Sequence, residues 1–300
     1  PNNSKYNFIT PFKKKQTWRF NSIVNIIYEP NIEKVKRSNL PLIVSCPYSC
    51  LKVKTRNQGR YTVLSYFKKH NKTAYISEGG ALPGFIYLDK NGFLSNSSSY
   101  FEKNWNHPLD KDKMNKVDKY MEEFMNDSTT RKKQKSSRVN GDIFLEFKGK
   151  IKVFVPMQVW NDTTMILFCG WVRTLENFQK IIKDLAKKNN DIIFLVKNHP
   201  RCSKFKMGNS KNIRIVDNYH YKDCIKNCDV VLTINSGVGL QSMMWEKPTV
   251  IVGKSFYQFE NVNYQANNKE EIMQLIHNAK KPDMKKSKDL YTIWYSNFIA

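Results

Sequence analysis

Four short segments carry residue types able to bind or transform an anionic substrate. In one, the apolar run Val153-Phe154-Val155-Pro156-Met157 ends in Gln158-Val159-Trp160-Asn161-Asp162. A carboxylate delivered there could act as nucleophile or base, with Gln158 as a neutral donor and acceptor. Alternatively, Asp162 caps the turn or helix that begins at Thr163-Thr164. In another, Lys197-Asn198-His199-Pro200-Arg201 follows the apolar run Ile192-Ile193-Phe194-Leu195-Val196. Pro200 biases His199 toward extended backbone, and three groups able to carry positive charge suit a phosphate or carboxylate. In Thr233-Ile234-Asn235-Ser236-Gly237-Val238-Gly239-Leu240, small hydrogen-bonding residues open a helix. Backbone N–H groups and the positive helix end favour a phosphate there; a plain Ser236 cap is compatible with that. Finally, Ser77-Glu78-Gly79-Gly80-Ala81-Leu82-Pro83-Gly84 presents a carboxylate beside glycines that let the chain turn sharply, though Glu78 could also cap an ordinary turn. His107-Pro108 has no apolar strand before it and reads as a surface turn, and His70, His220 and His277 read as surface or packing residues.

The elements that must position these groups alternate in type. Leu42-Ile43-Val44 reads as a buried strand, residues 60–69 as a helix and 73–77 as a strand. Phe85-Ile86-Tyr87-Leu88 and Gly92-Phe93-Leu94, separated by Asp89-Lys90-Asn91, read as a hairpin, and 110–125 as a helix. Residues 126–140, with Arg131-Lys132-Lys133-Gln134-Lys135, are too polar to pack and read as a linker. Downstream come strands at 151–155, 165–169, 192–196, 213–216, 229–233 and 249–252, with helices at 174–188, 221–227, 237–245 and 268–279. Continuous apolar strands alternating with helices imply an α/β fold with a largely parallel sheet. The expected architecture is GT-B-like: two Rossmann-like domains, 1–150 and 151–300, with a cleft between them. Ligands of such sheets bind beyond the strands' carboxyl ends. Leu290-Tyr291-Thr292-Ile293-Trp294-Tyr295 reads as a helix packing across a domain face.

The 300 residues suffice for one large or two smaller cores, and 40% are hydrophobic. Lys plus Arg number 50 against 26 Asp plus Glu, a formal charge of +24. Such a surface suits nucleic acid, anionic lipid headgroups, or a sugar nucleotide and acidic glycan. The 6 cysteines, Cys46, Cys50, Cys169, Cys202, Cys224 and Cys228, lack the spacing of a zinc or disulfide framework. Reduced thiols and a cytoplasmic location follow as expectations. There is no apolar run long enough to span a bilayer and no signal-peptide core, so any membrane contact is peripheral. The glycines form neither a dinucleotide fingerprint nor a Walker loop. Starting at Pro1 is consistent with a processed chain or a module of a longer enzyme.

In order and spacing, these motifs resemble the bacterial capsule polysaccharide biosynthesis family, which includes retaining β-Kdo glycosyltransferases. The resemblance runs from about Ser77 to Tyr257. Its carriers are Glu78-Gly79-Gly80, the Val-Pro-Met-Gln-x3-Asp element ending at Asp162, Lys197-Asn198-His199-Pro200-Arg201, Asn235 to Leu240, and the strand and aromatic turn from Glu246 to Tyr257. It implies a donor, CMP-β-Kdo, held by the carboxy-terminal domain and a glycan or glycolipid acceptor received by the amino-terminal one, with contact to the inner face of an anionic membrane allowed. It further implies that Asp162 attacks the anomeric carbon, that Glu78 is the acceptor's general base, and that His199, Ser236 and the helix start at Gly237 meet the departing phosphate. Gln158, Lys197, Arg201 and Asn235 complete the donor site. Neither a metal nor a cofactor is required, since the leaving charge is that of a monophosphate. Where the family often has an acidic residue after its first Glu, this chain has Gly79, and its first forty residues match no part of the pattern.

Two other readings compete. A glycerophosphotransferase of the teichoic-acid polymerase type would use a CDP-alcohol and no carboxylate nucleophile. A noncatalytic binder of anionic polymer would exploit the charge and aromatics such as Trp18, Tyr61 and Trp105, but no nucleic-acid motif is present and no nucleic-acid partner is expected.

Overall fold

The computed structural model describes residues 6–12, 24–45, 47–48, 58–106, 110–128, 130, 138–202 and 205–293. Lys13 to Lys15, Trp18, Cys46, Cys50, His107-Pro108, Arg131 to Lys135 and Trp294-Tyr295 lie outside these residues. Two compact units form, one from Pro1–Gly80, Gly84–Asn104 and Ile293–Ala300, the other from Ala81–Pro83 and Trp105–Thr292.

In the first unit the described elements are β1 (Tyr6–Thr10), β2 (Val24–Tyr28), α1 (Ile32–Arg37), β3 (Leu42–Ser45), α2 (Gln58–Lys69), β4 (Ala74–Gly79) and β5 (Ile86–Asp89). The sheet order is β2-β1-β3-β4-β5, parallel except for β5. Glu78 lies inside β4, opposite Tyr87 of β5, rather than in the loop after a strand ending at 77. The expected hairpin at 85–94 does not form. β5 pairs backward onto β4, and 94–96 is a 3-10 turn. Asp89 drives that choice: its Oδ1 accepts from the Asn91 N–H at 2.8 Å and the Ser99 hydroxyl at 2.9 Å, folding the segment into successive turns.

The second unit contains α3 (Lys111–Asn126), β6 (Ile151–Pro156), α4 (Thr163–Phe168), α5 (Leu175–Lys188), β7 (Ile192–Lys197), β8 (Ile213–Ile215), α6 (Tyr221–Asn227), β9 (Val230–Thr233), α7 (Gly237–Ser242), β10 (Thr249–Ile251), β11 (Tyr264–Gln265), α8 (Lys269–Asn278) and α9 (Met284–Tyr291). Its sheet runs β11-β10-β9-β6-β7-β8, all parallel. Alternate residues of each strand enter two cores. Val153, Val155, Phe194 and Val196 join Phe178, Ile182, Ile272 and Ile276 on the side of α5 and α8. Phe154, Leu195 and Val231 join Phe144, Cys224 and Ile225 on the side of α6. With both faces covered, every strand position favours an apolar side chain, which explains the unbroken runs.

The run expected as a strand at 165–169 is instead α4. It buries Thr163, Met165 and Phe168 and leaves Ile166 and Leu167 exposed, a helical and not an alternating pattern. Gly170, at φ +63, ends it close against the backbone of Val252 and Gly253.

α3 packs within this second unit. Lys222 of α6 is fully buried, donates to the Phe124 carbonyl, pairs with Asp127 at 2.8 Å and sits 3.7 Å from the Phe124 ring centroid. Asp223, also buried, takes Arg138 Nε at 2.5 Å and the Val139 N–H at 2.9 Å. These paired charges hold the end of α3 and the chain at 138–139 against α6, so the last residues of the expected linker are anchored. α9 joins α3 through Lys288 and Asp118 at 2.7 Å, and Tyr291 donates to the Leu240 carbonyl at 2.5 Å.

Candidate active site

The chain order of the second sheet defines where a ligand belongs. From β6 the chain moves to β7 and β8 on one side, then returns to β9, β10 and β11 on the other. The switch point is therefore between β6 and β9, where ligands of such sheets bind. Asp162 follows β6, Asn235 to Gly237 follow β9, and Asn198 to Arg201 follow β7, so all three segments of this unit reach one sheet edge. Glu78, in the first unit's β4, is half-buried.

At the switch point, Gln158 and Asn235 are bonded to each other. Gln158 Nε2 donates to Asn235 Oδ1 at 2.7 Å, and the Asn235 N–H donates to Gln158 Oε1 at 3.2 Å. Asn235 Nδ2 bonds the carbonyls of Thr164 at 3.1 Å and Phe168 at 3.0 Å. Both side chains are buried, and the second amide is spent within the protein. Their evident task is to fasten α4 to both strand ends. Asp162 occupies the N-cap position of α4 with extended backbone, but its side chain makes no capping bond to that helix. The Asp162 N–H closes a turn on the Val159 carbonyl at 2.9 Å, and the residue is half-buried.

At β7, Lys197 Nζ donates to the carbonyls of Asp217 at 2.9 Å and Tyr219 at 2.6 Å. Burial holds its ammonium below the usual lysine range. Asn198 is buried: its N–H and Nδ2 reach the two Asp217 oxygens at 2.7 and 3.1 Å, and it exchanges bonds with the Met207 backbone. The stretch is therefore clamped, with His199 at its tip. His199 Nδ1 accepts the Arg201 N–H at 3.1 Å, which leaves the ring proton on Nε2. Arg201 is exposed.

At α7, Ser236 caps the helix through Oγ to the Val238 N–H, 3.2 Å, and its own N–H bonds Thr233 Oγ1 at 3.2 Å. The Gly239 N–H returns to the Ser236 carbonyl at 2.9 Å. The start of α7 is thus partly satisfied by its own cap. Tyr257 donates to the Ser236 carbonyl from a fully buried position, and burial raises its phenol pKa. Gly239 makes this possible, since a Cβ there would lie 2.5 Å from the Tyr257 hydroxyl. Ala81 rests on Gly237, where an added Cβ would lie 3.2 Å from its own, and Gln241 Nε2 holds the Ala81 carbonyl at 2.7 Å.

The second unit thus brings Asp162, His199, Arg201, Ser236 and Gly237 to one edge, with Gln158, Asn235 and Lys197 beneath as supports. Asp217 and Tyr257 are supporting residues absent from the sequence candidates. Asp217 follows β8 as Asp162 follows β6, a signal of the same kind; Gln241, inside an apolar helix, offers none. Among the described residues, no three His, Cys, Asp or Glu side chains converge as a metal site.

A family model described as capsule polysaccharide biosynthesis protein matches residues 94–295. Protein FixF of Sinorhizobium fredii is 30% identical over 118 residues, 38% of this chain and 29% of that protein. The chain therefore spans less than a third of that curated relative. The solved structure of Thermosulfurimonas dismutans KpsC, beta Kdo 2,7 transferase, is similar with a TM-score of 0.58 at 15% identity, covering 97% of this chain and 89% of its own. That of Thermosulfurimonas dismutans KpsC, beta Kdo 2,4 transferase, gives 0.63 at 13% identity, covering 90% and 83%. At these identities the likeness establishes the GT-B-like fold.

Proposed function

Because this chain belongs to the capsule polysaccharide biosynthesis protein family, we propose that it is a retaining glycosyltransferase that moves Kdo from CMP-β-Kdo to a glycan or glycolipid acceptor. The observation carrying this reading is Asp162. Asp162 lies in the segment between β6 and α4, beside the β6–β9 switch point, and that segment is clamped by the Gln158–Asn235 pair. Preorganised placement of this kind is what a nucleophile needs.

In the first displacement, an Asp162 oxygen bonds to the anomeric carbon while the bond to the CMP phosphate oxygen breaks, its electron pair leaving with CMP. His199 Nε2–H, the Ser236 segment and Arg201 supply hydrogen bonds and positive charge to that phosphate as charge develops. In the second, the acceptor hydroxyl attacks the same carbon, Glu78 takes its proton, and the Asp162 carboxylate departs. Two inversions retain the β configuration. Gln158, Asn235 and Lys197 act through position, since their polar atoms are engaged inside the protein. The reaction would take place in the cytoplasm; among the described residues no helix is long and apolar enough to cross a membrane.

The test is intact-mass spectrometry after incubation with CMP-β-Kdo without acceptor. Wild type should release CMP and gain one Kdo, while Asp162→Asn should bind CMP and gain nothing. Near-normal transfer by Asp162→Asn would overturn the nucleophile assignment. Stabilisation by CDP but not CMP would favour the CDP-alcohol transferase.

A further inference from the structure

The first unit's sheet has a switch point of its own. From β1 the chain steps outward to β2 and then returns past β1 to β3, so its direction changes between β1 and β3. One side chain ties the carboxyl ends of those two strands together. Arg60, in the first turn of α2, donates from Nη1 to the carbonyl of Ser45, the last residue of β3, at 2.9 Å. Its guanidinium lies 5.2 Å from the ring centroid of Phe12, two residues past β1. Arg60 is half-buried, and among the described residues no carboxylate pairs with it. With Nη1 engaged on Ser45, the edge formed by Nε and Nη2 remains, and that edge takes a carboxylate through two parallel bonds. The surrounding sequence offers no counter-charge. Residues 34–77 contain no Asp or Glu, and residues 1–77 hold fifteen Lys and Arg against only Glu29 and Glu33, so about a quarter of the chain carries more than half of the formal charge of +24. Beside β3, β4 sets Ser77 opposite Ser45, which puts Glu78 one residue beyond the strand end that Arg60 holds.

We propose that Arg60 sets acceptor specificity, its guanidinium taking the carboxylate of an acidic sugar whose reacting hydroxyl gives its proton to Glu78. This rests on the transferase reading and deepens its acceptor side. A guanidinium fixed by a backbone carbonyl and an aromatic face is preorganised, so little side-chain freedom is lost when it closes on a planar anion. The same fork would reject the neutral sugar, which leaves a half-buried cation without a partner.

The experiment is saturation-transfer NMR on the full chain, with CMP present to occupy the donor site. The probes are the methyl β-glycosides of glucuronic and galacturonic acid, each beside the neutral glucoside or galactoside. Wild type should bind at least one acid and prefer it to its neutral counterpart by about tenfold or more, as a charge-assisted pair of bonds provides. Arg60→Gln should bind acid and neutral forms alike, and Arg60→Lys, which keeps the charge without the fork, should recover only part of the preference. Far-UV circular dichroism reports that each variant is folded. If Arg60→Gln is not, Arg60→Lys decides, because a preference as strong as that of wild type would overturn the proposal. Binding of neither acid by wild type, equal binding of acid and neutral forms, an undiminished preference in folded Arg60→Gln, or displacement of the acid by an equal concentration of inorganic phosphate would each overturn it as well. Failure of wild type to bind CMP or to gain Kdo would instead overturn the transferase reading and leave an acid-selective sugar site standing.

Discussion

Gln158 and Asn235 join the segments after β6 and β9 through two reciprocal hydrogen bonds, Gln158 Nε2 to Asn235 Oδ1 at 2.7 Å and Asn235 backbone N–H to Gln158 Oε1 at 3.2 Å. Truncating either leaves buried polar groups of the other unpaired. Asn235→Ala also strips the Thr164 and Phe168 carbonyls of their side-chain donor. Each single variant should lose about 1–3 kcal/mol, and the double variant less than the sum, because the pair is one unit. Urea titration of the four proteins measures the coupling; strict additivity would show that the two amides act independently.

Asp217 should matter for catalysis without touching substrate. Its two oxygens hold the Asn198 N–H and Nδ2, and Asn198 precedes His199. Asp217→Ala should lower kcat more than CMP affinity, because the anchoring of the turn that bears His199 is lost while the Ser236 segment remains in place. Asp217→Asn, which keeps one acceptor, should recover part of it. Equal kcat in all three proteins would make Asp217 irrelevant to the site.

Gly239→Ala is expected to be costly in an unexceptional helix. The new methyl would lie 2.5 Å from the Tyr257 hydroxyl and 3.1 and 3.2 Å from the Thr233 and Thr249 methyls. Overpacking of this sort costs about 1–3 kcal/mol, and displacing Tyr257 removes the bond to the Ser236 carbonyl. Both stability and CMP affinity should fall. Tyr257→Phe in the same background should ease the clash, and a variant as stable as wild type would refute the close approach.

His220 predicts an acid-sensitive fold. It is buried, Nδ1 caps α6 by accepting the Lys222 N–H at 3.2 Å, and Nε2 has no hydrogen-bond partner among the described residues. Burial lowers its pKa to about 4, with Asp223 opposing. A folded-state pKa below the unfolded value means that the stabilisation is complete above about pH 6.5 and is lost as pH falls toward 4. The loss is roughly 1.4 kcal/mol per pH unit inside that window. His220→Asn, which can still cap, should flatten the stability profile between pH 6 and 4.5 by one proton. Unchanged steepness would exclude His220 as its source.

Much of this molecule could be read before folding was considered. Ile192 to Val196 and Val230 to Leu232 announce buried parallel strands because both sheet faces are covered, and polar residues directly after such strands announce a site because ligands bind at strand carboxyl ends. Asp162, His199 and Ser236 are candidates by that local rule, and motif order points to the family. Three matters lay outside its reach. Met165 to Phe168 is apolar enough for strand or helix, and only burial of Thr163, Met165 and Phe168 selects α4. Gln158, Asn235 and Lys197 carry donors and acceptors that could serve ligand or protein, and only pairing between residues far apart in sequence shows which of them are engaged within the protein. α3 joins the second unit because Lys222, Asp127, Arg138 and Asp223 find one another, a choice made by burial of paired charge and not by any pattern along the chain. Local periodicity and chemistry are properties of neighbouring residues, and so are written in the sequence; the partner of a buried polar atom is a property of the folded whole.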